Sequence, residues 1–257
     1  MLKTGQKRIV MGLDVSTKCV GITVASVDDK GSVGVLVVTH IRPKVSTKIK
    51  GTEALFLKSQ IIANEISKYK ELGVTDVVIE EPLIGSNNSG TVATLLRFNG
   101  MVSECVYDRL GVVPEFISSY DARRFGCPEL VAVRKFHKNG EMVTQKRVEK
   151  ALKSNDVVLF GEYTFDCAKK LILWNIVSTR FPKIEWQYKK NGDLKGENFD
   201  ASDSMICVMG YLAKEKYAKD TPKVVDWDKK QTGDGSVEYT YTVRFCGQDF
   251  SHTIEVL

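Results

Sequence analysis

The sequence predicts an α/β fold: a mixed five-stranded sheet flanked by helices, with a C-terminal β-hairpin extension. Three observations predict it. Three β-like runs open the chain, helical and strand-like runs then alternate, and residues 236–256 alternate apolar with polar side chains. The chain has 257 residues, of which 43% are hydrophobic, so it is long enough to bury a substantial core.

The main elements follow from periodicity and from the residues that end them. The opening runs are rich in Val and Ile and are separated by short polar stretches, which predicts an antiparallel meander. Leu57, Ile61 and Ile66 then recur at near-helical spacing before Gly73, and Pro82 ends the apolar strand that follows. In order, we expect strands at 8–15, 19–27 and 33–41, a helix at 53–72, a strand at 75–80, a helix at 89–110, a strand at 112–117, and helices at 145–152, 166–180 and 200–219. This order is typical of a ribonuclease H-like (RNase H-like) fold.

Composition narrows the range of possible protein classes but does not identify a function. Lys and Arg number 37 against 32 Asp and Glu, and this mild basic excess suits a nucleic-acid partner without requiring one. The six cysteines include no CxxC pair, which indicates a reducing compartment and no zinc site. No apolar run approaches the ~20 residues of a membrane span, and the first residues lead into a strand. We therefore expect a cytoplasmic protein.

Acidic residues lie within or at the end of apolar strands and at the start of the last helix. Asp14 lies in the first apolar strand, Glu80 ends the strand at 75–80 and is followed by Glu81, and Asp200 and Asp203 are spaced i, i+3 at the start of the last helix. Adjacent strand residues face opposite ways, so only one of Glu80 and Glu81 can join Asp14. Carboxylates in such positions need partners, and a shared pair of hard divalent cations suits them.

Each acid also has an ordinary structural explanation. Asp200 could be a helix N-cap, Asp203 a first-turn acid, and Asp14 the start of an Asx-type turn before Ser16. Glu80 and Glu81 could be a solvated strand end. The metal interpretation depends on all of them together, in the right order of elements. A basic stretch over residues 123–153 adds a face that could follow DNA phosphates, although a solubilising helix face is the alternative.

Four motifs occur along the chain in a fixed order: Gly12–Gly21, Val78-Ile79-Glu80-Glu81, Asn88–Gly100, and Asp200-Ala201-Ser202-Asp203-Ser204. In this order they resemble the opening strand, the second carboxylate strand, the junction-lining helix and the closing helix of the RuvC family of Holliday junction resolvases. Each motif is short, and only the ordered combination is specific. The resemblance extends over residues 8–211.

The resemblance implies a crossover junction endodeoxyribonuclease of DNA recombination and repair. Such an enzyme is a homodimer that binds four-way (Holliday) junctions and nicks two strands symmetrically with two Mg²⁺ or Mn²⁺ ions per active site, leaving 5′-phosphate and 3′-hydroxyl ends. It implies metal ligation and catalysis by Asp14, Glu80, Asp200 and Asp203, with Lys146 near the scissile phosphate. The residues expected to bind DNA are Arg123, Arg124, Arg134, Lys135, Lys138, Lys146 and Arg147.

Residues 1–220 are thus expected to form an RNase H-like, RuvC-like nuclease domain, and residues 221–257 a C-terminal β-hairpin appendage. Leu83 stands where many family members carry an aromatic residue, which leaves a broader branched-DNA nuclease as an alternative. The opening motif is also similar to the first phosphate loop of actin-like and sugar-kinase-type ATP-binding proteins, but the chain has no later glycine-rich nucleotide loop. A non-catalytic junction binder would gain nothing from acids facing phosphates.

Overall fold

The computed structural model of the chain describes residues 7–82, 88–233 and 235–257. The strands are β1 (Arg8–Val15), β2 (Val20–Val27), β3 (Val33–Ile41), β4 (Asp76–Glu81), β5 (Glu115–Ser118), β6 (Val131–Val133), β7 (Val157–Leu159), β8 (Lys223–Gln231), β9 (Val237–Phe245) and β10 (Gln248–Val256). The α-helices are α1 (Gly51–Ser67), α2 (Ser89–Leu110), α3 (Ser119–Gly126), α4 (Gln145–Ser154), α5 (Lys169–Arg180) and α6 (Glu197–Tyr217). None of the helices in this described part of the chain combines the length and hydropathy that crossing a membrane needs.

The first five strands form one mixed sheet in the order β3-β2-β1-β4-β5. The first three strands pair antiparallel, while β4 pairs parallel with both β1 and β5. This confirms the predicted fold class. Because β1 lies at the centre, its backbone is paired on both sides. The strand that carries Asp14 is therefore the direct neighbour of β4, the strand that carries Glu80.

Helices α1 and α2 pack against one face of this sheet. Alternate residues of each strand point to this face, as the two-residue period of a strand requires. Residues at spacings of three and four along α1 and α2 pack onto them, which is the pattern of an amphipathic helix. The core formed in this way consists mainly of Ile9, Met11, Leu13, Ile22, Val24, Ile62, Ile66, Val77, Ile79, Phe98, Val102 and Val106. The even-numbered residues of β1 and β4 therefore face the opposite side.

The chain divides into two compact units, Met1–Ala122 with Lys170–Tyr211, and Arg123–Lys169 with Leu212–Leu257. These boundaries differ from the expected division at residues 220 and 221. The reason is that the C-terminal strands share a hydrophobic core with α4, β6 and β7. The expected appendage is thus part of a larger second unit.

The second unit contains a two-stranded sheet of β6 and β7 and a three-stranded sheet in the order β10-β9-β8. Every second residue of β9, from Val237 to Phe245, is buried, which confirms the alternation on which the hairpin was predicted. Tyr241 is fully buried among them, and its hydroxyl oxygen accepts a hydrogen bond of 3.0 Å from the backbone N–H of Val133. This bond satisfies a polar group that burial would otherwise leave unpaired.

Several expectations need correction. Helix α1 ends at Ser67 rather than at residue 72, β5 begins at Glu115 rather than at residue 112, and α5 begins at Lys169 rather than at residue 166. Helix α6 begins at Glu197 rather than at residue 200, so Asp200 is inside the first turn and is not the N-cap. Four elements, α3, β6, β7 and β8, were not predicted. Strands β6 and β7 have three residues each, too few for a period to show, and β8 is a mostly exposed strand with four Lys or Asp side chains at positions 226 and 228–230.

Candidate active site

Two of the predicted acids come from adjacent parallel strands. Leu13 of β1 is in register with Ile79 of β4, and Asp14 and Glu80 are the next residues along each strand. Both belong to the face opposite α1 and α2, because Leu13 and Ile79 contribute to the core there. Glu81 is exposed and points the other way. The geometry therefore places Glu80, and not Glu81, on the same face as Asp14.

The N-terminal half of α6 lies directly against this second face. Its backbone approaches β1 and β2 so closely that a methyl group on Gly21 would overlap the backbone oxygen of Asp200, and one on Gly12 would overlap that of Ser204. A hydrogen bond of 2.8 Å joins the hydroxyls of Thr23 and Ser204 across the same contact. Glycines in the strands and small residues in the helix thus bring the helix turn that carries Asp200 and Asp203 down to the strand that carries Asp14.

The two helix acids sit in different surroundings. Asp203 is 5% exposed, and one turn further along α6 the Sγ of Cys207 is 3.9 Å from Oε2 of Glu80. Asp200 is more open, and its Oδ1 lies 3.8 Å from Nζ of Lys170, at the start of α5. Asp203 and Glu80 consequently line the inner part of the site, while Asp200 and Lys170 are at its solvent side.

Electrostatics shows that these carboxylates act on one another. Burial raises the pKa of Asp14 well above the usual carboxyl range, and the negative charges of Glu80, Asp203 and Asp200 raise it further, while Lys170 lowers it. Burial also raises the pKa of the Cys19 thiol, and a hydrogen bond between that thiol and Asp200 adds to the shift. A central strand therefore holds a carboxylate whose ionisation is opposed both by burial and by the charges of three other acids.

The donor atoms fit a hard cation, but the side chains do not form a finished ligand set. Four carboxylates supply oxygen donors only, which is the chemistry that Mg²⁺ and Mn²⁺ prefer. Within residues 7–82, 88–233 and 235–257, no group of three or more His, Cys, Asp or Glu side chains is placed so that it could hold a metal ion. The acids are close enough to raise the pKa of Asp14, and metal ligation by them stays a prediction.

All seven basic residues expected to bind DNA belong to the second unit. Lys146 is exposed in the first turn of α4, and the neighbouring Arg147 lies 3.3 Å from Oδ2 of Asp156. The Arg124 guanidinium lies over two aromatic rings, 5.1 Å from the centroid of Phe245 and 5.5 Å from that of Phe125. The structure thus brings the four acids together in the first unit, and none of the seven basic residues belongs to that unit.

Two features of the site were not predicted. Lys170 lies next to Asp200, although it comes from a helix whose sequence shows only an apolar period after two lysines. The need for glycine at positions 12 and 21 was also missed, although both lie within the opening motif. Leu83, expected to influence the cleavage preference, lies outside the described residues.

No protein-family model matches the sequence, and comparison with the curated proteins gives no match. Among solved structures, RuvC of Thermus thermophilus is 13% identical, with 81% of this chain and 95% of that chain covered and a TM-score of 0.47. The yeast mitochondrial Holliday junction resolvase Ydc2 is 13% identical, with 79% and 77% covered and a TM-score of 0.42. The fowlpox virus resolvase, in complex with Holliday junction DNA, is 11% identical, with 80% and 98% covered and a TM-score of 0.36. Values this low do not establish membership of a family.

Proposed function

We propose that the chain is a metal-dependent, structure-specific DNA endonuclease that resolves four-way junctions. The observation that carries the proposal is the gathering of Asp14, Glu80, Asp200 and Asp203 on one face of the central sheet, under a helix that only glycine and small residues allow so close. A protein without a cation to bind gains no stability from this arrangement, because burial and like charges both oppose ionisation of Asp14.

In this proposal, the four acids hold two Mg²⁺ or Mn²⁺ ions after rotation of their side chains. When bound, such ions supply a water of lowered pKa and neutralise charge at the leaving 3′ oxygen, which gives 5′-phosphate and 3′-hydroxyl products. Asp203, on α6, is buried, and Glu80 is partly exposed beside it, with its Oε2 3.9 Å from Sγ of Cys207. Asp200 is held near Lys170, whose ammonium can approach a bound phosphate from the solvent side.

The substrate class rests on two supports. The motifs that resemble the RuvC family now lie at the expected places: the opening motif on β1 and β2, the second at the end of β4, and the closing motif in α6. The segment 123–169, in the second unit, carries ten Lys and Arg against six Asp and Glu, a net charge of +4 compared with +5 for the whole chain. A basic surface of this density suits phosphates. Cleavage of two strands by paired sites would require a homodimer.

The test is a nicking assay on four-way, Y-shaped and linear duplex DNA, with and without Mg²⁺. We expect Mg²⁺-dependent nicking of the four-way junction by the wild type. Asp14→Asn and Asp203→Asn should lower the rate by more than the ~10- to 100-fold typical of outer-shell changes at a metal site, while junction binding is retained or strengthened. Asp29→Asn, the same change in an exposed turn, is the matched control.

Unchanged cleavage in either variant would refute the site. Equal nicking of the Y-shaped and four-way substrates would instead indicate the broader branched-DNA nuclease. A chain that cuts none of the three substrates with Mg²⁺ or Mn²⁺ would refute the proposed function altogether.

A further inference from the structure

The second unit contains a small cleft between the end of β6 and the loop after β7. Its volume is about 100 Å³, and it is lined by three phenylalanines and by Arg and Lys side chains. The residues that matter here are Arg134, Phe136, Lys138, Phe160, Phe165 and Lys169, which we call the aromatic cleft. All six belong to the second unit, and none of them contributes to the carboxylate site.

The rings of the aromatic cleft are open to solvent. Phe165 is 63% exposed, and Phe136 and Phe160 are partly exposed. Phe125, by contrast, is 5% exposed and packs in the core of the same unit. Exposing a large ring costs hydrophobic free energy that burial would recover, so a group of exposed rings in one place points to a ligand with a flat apolar face.

One cation of the aromatic cleft, Lys169, lies over its rings, and none of the three is paired with an acid in the part of the chain that the structure describes. The Lys169 ammonium lies 5.7 Å from the centroid of Phe160 and 5.8 Å from that of Phe165. Among the described residues, Arg134, Lys138 and Lys169 form no ion pair with a carboxylate. Their charge is therefore available to an anionic ligand beside the rings.

The backbone below the rings is fixed in an unusual conformation. Phe160 has a φ of +61°, which is uncommon for an aromatic residue, and its N–H donates a 2.7 Å hydrogen bond to the Leu130 carbonyl. The next residue, Gly161, passes so close to β6 that a methyl group would overlap the backbone oxygen of Ala132. Strain of this kind persists only where the surroundings enforce it, and it occurs preferentially at functional sites.

We propose that the aromatic cleft binds an unpaired nucleotide of single-stranded DNA. The base stacks on the exposed rings, chiefly Phe165, and the adjoining phosphates contact Arg134, Lys138 and Lys169. Bases inside a duplex have no free face, so this ligand is a strand without a partner, such as one next to a branch point. The proposal takes its ligand class, DNA, from the proposed function, and it adds a second contact surface that recognises unpaired strand.

The experiment measures the affinity of the full chain for a fluorescein-labelled oligothymidine of about 12 nucleotides. We expect Phe165→Ala to weaken binding by about 5- to 150-fold, as loss of one stacked base does, and Phe165→Trp to restore it. Phe56→Ala is the matched control, because Phe56 is 54% exposed on α1 in the first unit, and it should bind as the wild type does. A 2-aminopurine in the oligonucleotide should lose fluorescence on binding to the wild type and not to Phe165→Ala.

Nicking of the four-way junction by the wild type is measured on the same preparation. Absence of oligothymidine binding, or binding that Phe165→Ala leaves unchanged, would overturn the aromatic cleft even if the enzyme nicks junctions. Binding that depends on Phe165 in a chain without nuclease activity would support the cleft and remove the proposed function. The two failures are therefore distinguishable.

Discussion

Asp14 is the residue at which the cost of the candidate site is most evident. It stands in the central strand of a buried sheet, and its neighbours in space are three further acids and one lysine. A carboxylate there opposes folding when ionised and is tolerated only if something compensates for its charge. An acid among the apolar residues of a strand departs from the surrounding sequence pattern, and for this reason Asp14 could be singled out from the sequence.

We predict that Asp14→Asn stabilises the metal-free protein. The raised pKa means that folded Asp14 keeps its proton at pH values where an unfolded aspartate has lost it, so stability falls as pH rises above the usual carboxyl range. Asparagine carries no ionisable proton, so Asp14→Asn removes this pH-dependent loss of stability. Thermal unfolding in EDTA between pH 4 and pH 8 should give a higher Tm for Asp14→Asn than for the wild type, and the difference should grow with pH. Each kcal/mol of stabilising free energy should raise the Tm by about 2–4 °C.

Asp29→Asn, in the exposed turn, should leave the Tm unchanged in the same buffers. Mg²⁺ should raise the Tm of the wild type and not that of Asp14→Asn, since binding to the folded state alone is stabilising. An Asp14→Asn protein that is less stable than the wild type in EDTA at every pH would contradict the interpretation of Asp14 as a strained, uncompensated acid.

Lys169 and Lys170 are adjacent in sequence and have different surroundings. Lys170 lies 3.8 Å from Asp200, whereas Lys169 lies over the rings of the aromatic cleft. We predict that Lys170→Gln lowers the rate of junction nicking by about tenfold or more, because it removes positive charge beside the phosphate. Lys169→Gln should weaken binding of oligothymidine instead. The reverse assignment of the two defects would contradict both placements.

At the scale of the element, the site depends on how closely α6 lies on the sheet. The contact is made by Gly12 and Gly21 on the strands and by Ser204 and the backbone of Asp200 on the helix. We predict that Gly21→Ala forces α6 away from β2, lowers stability by about 1–3 kcal/mol or more, and reduces nicking in whatever fraction remains folded. Gly100→Ala on α2 is the control: its added methyl group meets no atom within 4 Å, so it should be neutral or slightly stabilising. Urea unfolding checks both variants, and the nicking rate is measured for Gly21→Ala.

The elements that could be predicted from the sequence were long enough for a periodic pattern of apolar residues to be recognised. Helix α2 and strands β1, β3, β9 and β10 match their expected ranges within one residue, and in β9 every second residue is buried, as the alternation predicted. Short strands such as β6 and β7 have no room for a period, and their pairing depends on residues more than twenty positions apart. Asp14 and Glu80 stand out because each interrupts or ends an apolar strand, whereas Asp200 and Asp203 are ordinary acids at a helix start and are predicted only from their place in the order of motifs. Lys170 could not be predicted, because nothing near it in sequence indicates that α5 places it next to Asp200.

At the scale of the whole molecule, charge is distributed unevenly along the chain. The four acids lie in the first unit, and the segment with a net charge of +4 lies in the second. Within that segment some cations are already paired with acids, such as Arg147 with Asp156. Net charge alone therefore overstates the surface that is free for phosphates, and Arg134 and Lys138 are better candidates than their neighbours.

We predict that the double variant Arg134→Gln/Lys138→Gln reduces the salt dependence of DNA binding. Each phosphate contact contributes about 0.7–0.9 to the slope of log affinity against log salt concentration, since binding releases a condensed counterion. Loss of two contacts should flatten that slope by about 1.4–1.8 and weaken binding most at low salt. Lys30→Gln/Lys48→Gln, which removes the same charge from exposed positions of the first unit, is the control and should leave the slope near the wild-type value. A change in net charge alone would alter the slope of both double variants alike, so the control separates that effect from the loss of phosphate contacts. Equal slopes for the wild type and Arg134→Gln/Lys138→Gln would show that these two side chains do not contact the DNA phosphates.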